Sequence, residues 1–105
     1  LTTGGTGLTP TDRTPEATAP LLDREVPGIA EAIRHAGVAK GIPTAMLSRG
    51  IAGLRGRTLI VNFPGAPRAA ADGMHALFPA ILHAFRMMRG EGHPPRRPAV
   101  KRRRA

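Results

Sequence analysis

Apolar and polar positions follow two rhythms along this chain, and the change between them falls just after Phe63. Residues 58–63, Thr-Leu-Ile-Val-Asn-Phe, form an almost unbroken β-branched and apolar run closed by Pro64 and Gly65. Such a run is too apolar for a sheet with one wet face, so it predicts a central strand covered on both sides. Beyond Pro67, apolar residues recur at three- and four-residue steps: Ala70, Met74, Leu77, Ile81, Ala84 and Met88. That period predicts helix over residues 67–89. Pro79 interrupts it, and because an interior proline costs about 3 kcal/mol or more the pattern predicts two helical pieces, the second opening at Pro79.

Upstream the signals are shorter. Thr14, Pro15 and Glu16 read as N-cap, first helical residue and acidic first turn, predicting a helix over residues 15–24 with Ala17, Leu21 and Leu22 on its apolar side. Pro27 and Gly28 open a second helix, in which Ile29, Ala30 and Ile33 share a face opposite Glu31 and Arg34; Gly37 is expected at its C′ position. Residues 43–47 read as a short helical turn or loop, residues 51–54 as an edge strand, and Arg55, Gly56 and Arg57 as the turn into the central strand. Helices alternating with strands give an α/β domain.

At 105 residues there is room for one domain, which buries roughly two thirds of the surface its unfolded chain exposes. Three Phe with no Trp or Tyr leave the core to Ala, Ile, Leu, Val and Met. The absence of cysteine excludes disulfides and thiolate metal sites and points to the cytoplasm as the default compartment. No secretory leader and no run of eighteen apolar residues is present, so no membrane association is expected. The net charge of +9 is concentrated at one end: residues 90–105 carry six Lys or Arg against one Glu. With three prolines and no interleaved aromatics, that stretch reads as an unpacked, disordered basic tail, and a nucleic-acid partner is not expected.

Chemistry concentrates near the start. Gly4, Gly5, Thr6 and Gly7 can bring backbone N–H groups and a hydroxyl around an anion, and Asp12 stands beside them, where a carboxylate can hold a metal ion that neutralises phosphate charge. A tight turn ending a strand is the competing reading of the glycines, and an exposed loop acid that of Asp12. Neither a Walker-type Gly-Lys-Ser/Thr nor a Gly-x-Gly-x-x-Gly follows. Asn62, Pro64 and Gly65 sit at the carboxyl end of the central strand, where open α/β sheets bind ligands, and Pro67 starts a helix whose first N–H groups can face an anion. The histidines show no zinc spacing.

The order of these motifs resembles the MogA/MoaB family of molybdenum cofactor biosynthesis, which includes molybdopterin adenylyltransferases and gephyrin-type G domains. The likeness covers the glycine loop, residues 12–17, Glu25-Val-Pro-Gly28, Pro43-Thr-Ala-Met-Leu-Ser-Arg49, Gly53-Leu-Arg-Gly56 and Leu59-Ile-Val-Asn-Phe-Pro-Gly65 with Pro67, so it spans residues 2 to about 86. It implies a three-layer α/β/α fold with a mainly parallel sheet, residues 1–89 being its C-terminal portion and the N-terminal strands and helices missing. The beginning at Leu1, in the last residue of a strand, looks like a cut. The resemblance also implies adenylyl transfer from ATP to molybdopterin with Mg²⁺, giving adenylylated molybdopterin and pyrophosphate, and a homotrimer at full length. Within it Asp12 would be catalytic and metal-placing, Gly4, Gly5, Thr6 and Gly7 would hold phosphate or pterin oxygens, and Ser48, Arg49 and Asn62, near Pro64 and Gly65, would orient the pterin phosphate. Arg68 stands where relatives often carry Lys. Glu16 reads as a helix-dipole residue first and ligand-side second. The alternative is a non-catalytic molybdopterin-binding or assembly protein of the same fold.

Overall fold

The structure, a computed structural model, describes residues 1–91. In chain order the elements are β1 (Thr2–Thr3), α1 (Thr14–Thr18), β2 (Arg24–Glu25), α2 (Pro27–Ala39), β3 (Ala52–Arg55), β4 (Thr58–Phe63) and α3 (Pro67–Met88), with 3-10 turns at Ala19–Leu21 and Pro43–Leu47. The strands form one sheet in the order β1-β4-β3-β2. β1 runs parallel to β4, with Thr2 opposite Asn62 and Thr3 opposite Phe63, while β3 pairs antiparallel with both β4 and β2. The α/β class read from the sequence is the class found, with mixed pairing among the described strands. The basic tail lies outside the described residues apart from its first two.

The central strand is where the apolar run places it. Because side chains alternate across a strand, Val61 and Phe63 share one face and Asn62 takes the other. Val61 and Phe63 are fully buried and join Ile33 of α2, Ala52 of β3 and Leu77 of α3 in a single core, with Ile29, Leu59, Met74 and Ile81 packed around it. Burying a side chain of this size contributes about 1.5–3 kcal/mol. α2 and α3 therefore cover one face of the sheet. On the other, Asn62 meets Thr18 of α1.

Several local expectations are corrected. The first helix stops at Thr18, not near residue 24, because Pro20 has no N–H to continue the ladder; a 3-10 turn follows, and Arg24–Glu25 pairs with β3 as a strand. Its buried residues are Pro15 and Thr18, whereas Ala17 and Leu21 are exposed. Thr14 is the first helical residue and not the N-cap, since its hydroxyl is engaged elsewhere. β3 has neighbours on both sides, so the edge falls to β2.

Gly37 lies inside α2, which runs on to Ala39. The terminating glycine is Gly41, at φ +85°, with its N–H donating to Val38 O at 3.0 Å and the Ile42 N–H to Gly37 O at 3.1 Å. That pair of bonds is a Schellman motif. α3 is one continuous helix through Pro79. Pro79 and His75 are both exposed, so water can satisfy the His75 carbonyl that the proline leaves without a donor. No helix among the described residues is long and apolar enough to cross a membrane.

Candidate functional site

The pairing of β1 with β4 decides where the glycine loop goes. Gly4 N–H extends the ladder by donating to Phe63 O at 3.0 Å, after which Gly4 and Gly5 turn the chain with φ of +85° and +69°. A Cβ at Gly5 would lie 2.1 Å from Thr14 Oγ1, so this position excludes a side chain by both backbone conformation and space. Thr14 is that close because it clasps the loop. Its hydroxyl donates to Gly4 O at 2.8 Å and its N–H to Gly5 O at 3.0 Å.

The second half of the loop is held from a different part of the chain. Arg49 N–H donates to Thr6 O at 2.7 Å, its Nε to Gly7 O at 2.7 Å and its Nη2 to the Asp12 carbonyl at 2.8 Å. Its Nη1 pairs with the Glu16 carboxylate. That hydrogen bond, aided by the positive charge, holds the Glu16 carboxyl below its ordinary value, and the same contact raises the guanidinium pKa. Arg49 therefore turns to the loop's own carbonyls and is not among the residues lining the cavity described next.

Asn62 is also placed away from that cavity. It is buried, its Oδ1 accepts the Ile51 N–H at 3.2 Å, and its Nδ2 donates to Thr2 Oγ1 at 2.9 Å and Thr18 Oγ1 at 3.1 Å. Both amide donors and one acceptor site of the carbonyl are thus engaged within the scaffold, with β1, with α1 and with the residue that precedes β3. An orienting contact to a pterin phosphate would require this network to open.

The remaining predicted residues do converge. Gly4 to Gly7, Asp12, Ser48, Pro64 and Gly65 line one cavity of about 410 Å³. Ile42, Ala45 and Leu47 supply an apolar wall that the sequence did not mark, because apolar residues in a 3-10 turn look like any others. Arg68 and Ala69, in the first turn of α3, close the opposite side. That turn carries neither an acidic residue nor a side-chain cap, so the uncapped start of a 22-residue helix, with its partial positive charge, borders the cavity together with Arg68. Thr6 is buried, and its hydroxyl meets Ser48 Oγ at 3.4 Å, which joins the loop to the Pro43–Leu47 turn.

Asp12 stands at the rim, half-buried. Its Oδ2 accepts two bonds from Thr9, one from the hydroxyl at 2.7 Å and one from the N–H at 3.0 Å. These bonds, hydroxyl first, hold the carboxyl below its ordinary value of 3.8, so it is ionised at neutral pH. The Gly7 main chain adds a further bond to this carboxylate, and among the described residues no group of three or more potential His, Cys, Asp or Glu ligands gathers there. A lone ionised carboxylate fits a Mg²⁺ ion that keeps several waters and takes its other ligands from substrate phosphates, and does not fit an all-protein cage.

Against this geometry the chain can be placed among known proteins. The family described as "Probable molybdopterin binding domain" matches residues 1–83. The chain belongs to this family. It is 42% identical over 90 residues to the molybdopterin adenylyltransferase of Helicobacter pylori, an alignment covering 86% of this chain and 51% of that protein. Among solved structures, the molybdopterin biosynthesis Mog protein of Mycobacterium ulcerans matches with a TM-score of 0.81 and 49% identity, over 85% of this chain and 57% of that one. The molybdopterin biosynthesis enzyme MoaB of Thermus thermophilus matches with a TM-score of 0.78 and 57% identity, over 87% and 57%. The chain thus spans about half the length of these relatives, which have the fold expected from the resemblance.

Proposed function

We propose that this chain forms the substrate-binding half of a molybdopterin adenylyltransferase, acting in molybdenum cofactor biosynthesis. The observation that carries the reading is the union in one cavity of a backbone loop with positive-φ glycines, the N-terminus of α3 with Arg68, an apolar wall and an ionised rim carboxylate. The apolar wall suits the flat pterin ring, while the loop N–H groups, Ser48 and Arg68 suit its phosphate. The Asp12 carboxylate would help to hold Mg²⁺ beside the bound ATP. When bound, the ion supplies charge neutralisation at the transferring phosphoryl group. A molybdopterin phosphate oxygen would attack the α-phosphorus of ATP as the bond to the β-phosphate oxygen breaks, giving adenylylated molybdopterin and pyrophosphate. The chain's part is to hold the attacking phosphate in line and to keep Asp12 ionised beside it.

One feature favours a second reading, a protein that binds or delivers molybdopterin without turning it over: Asp12 is the single carboxylate lining the cavity among the described residues. The deciding experiment mixes the full-length protein with molybdopterin, ATP and Mg²⁺ and follows the adenylylated pterin and pyrophosphate. The catalytic reading expects product, and a fall of about 100-fold or more in Asp12→Asn. Binding without product, or unchanged turnover in that variant, would establish the second.

The reading includes a homotrimer working in the cytoplasm. Assembly is supported by Phe78, Leu82 and Phe85, which leave much of one side of α3 apolar and exposed, and sedimentation of the full-length protein tests it. The cytoplasmic assignment draws its support from a chain without cysteine, and fractionation of cells tests it.

A further inference from the structure

Arg49 is the one side chain among the described residues that hydrogen-bonds both to the glycine turn and to the main chain of Asp12. The two ends of the loop have separate holders. Thr14 fixes Gly4 and Gly5, whereas Arg49 fixes Thr6 and Gly7 together with Asp12, and Glu16 fixes Arg49. The interval is short: a Cβ on Gly7 would stand 2.7 Å from Asp12 Oδ2, and Thr9 and the Gly7 main chain bond that carboxylate directly, so what Arg49 holds is the main chain that carries both ends of the interval.

We infer that Arg49 is a positioning residue that sets the Asp12 carboxylate at a fixed interval from the glycine turn without touching the substrate. This rests on the reading of the cavity given above and replaces the direct phosphate contact that the sequence motif suggests. A planar guanidinium has five N–H donors in a rigid fork, and here Nε, Nη1 and Nη2 reach three different acceptors at once. A lysine ammonium keeps the charge opposite Glu16 but cannot span all three. Arg68, Gly4 and Gly5 also line the cavity, and no hydrogen bond among the described residues ties them to Arg49. Its loss should therefore be felt in turnover far more than in pterin affinity, since a displacement of about 1 Å in a reacting group costs on the order of 100-fold.

The test is Arg49→Lys in the full-length protein, with four measurements: kcat, molybdopterin Kd from pterin fluorescence, the thermal midpoint, and amide hydrogen exchange over residues 6–12. The expected result is kcat down by about 10- to 100-fold, Kd within about twofold, a small change in the midpoint and faster exchange in that stretch alone. Unchanged kcat and exchange would overturn the inference. So would a Kd weakened as much as kcat/KM with exchange unaltered, because the side chain would then be contacting the ligand. Should the lysine variant fail to fold, Glu16→Ala removes the acceptor of Nη1 while leaving the bonds of Arg49 to Gly7 O and Asp12 O available. A smaller fall in kcat with faster exchange in the same stretch supports the clamp, and no change in either refutes it. If the wild-type protein makes no adenylylated pterin, the proposed reaction has failed; exchange then decides the clamp alone, faster exchange upholding it and unaltered exchange refuting it.

Discussion

The Asn62 side-chain amide donates to the Thr18 hydroxyl at 3.1 Å, so the middle of the sheet holds the end of the first helix. The same amide reaches Thr2 on β1, and its carbonyl takes the Ile51 N–H. A residue that the sequence offered as a ligand contact is, in the structure, a hub of the scaffold beneath the loop. Asn62→Ala leaves the Ile51 N–H without that acceptor in a part-buried position. It should lower stability by about 1–3 kcal/mol, seen as a lower urea midpoint with an unchanged slope.

Gly5 offers a sharper test of the loop. Gly5→Ala places a methyl group against Thr14 Oγ1 and asks an L side chain to adopt φ +69°, which costs about 1–2 kcal/mol before the clash is counted. Molybdopterin affinity measured by pterin fluorescence should weaken by at least about tenfold, with a modest change in melting temperature.

Acid should loosen the site in a defined direction. The carboxyls of Asp12 and Glu16 both lie below their ordinary values of 3.8 and 4.5 in the folded chain, through Thr9 and Arg49 respectively, so the unfolded chain binds these protons more readily. Their stabilisation is fully present above those ordinary values and is lost as pH falls through the lowered folded ones. Denaturant midpoints at constant ionic strength should decline on acidification below pH 4.5, and Glu16→Gln should flatten part of that decline.

Lys40, the C-cap of α2, pairs with Asp72 of α3, Nζ to Oδ1 at 2.9 Å. The two partners are unequal: Asp72 is buried with its Oδ2 unbonded among the described residues, whereas about half of Lys40 is exposed. Lys40→Met would strand a buried carboxylate and should cost about 1–3 kcal/mol, discounted from the value for a fully buried pair by that exposure. Lys40→Arg should recover most of it in the same melt.

What the sequence made legible follows from how local each signal is. The 58–63 strand and the helix after Pro67 were readable because their periods are carried by neighbouring residues. The short strand at Arg24 and Glu25 was not, since two charged residues have no period of their own and become a strand only by pairing with β3. Continuity of α3 through Pro79 depends on the proline facing solvent, which no spacing reveals. At the site, the glycines and Asp12 advertise themselves by chemistry. Arg49 and Asn62 advertise a chemistry that tertiary contacts spend elsewhere, and Ile42, Ala45 and Leu47 advertise none.

Thr2 and Thr3 are a two-residue strand, and they rest on partners sixty positions further along the chain. The floor of the cavity therefore comes into being only when the opening of this segment has found its middle. Pairing across that separation is slow to form, so the glycine loop takes its place beside β4 through contacts of the whole described unit and not through its local motif alone.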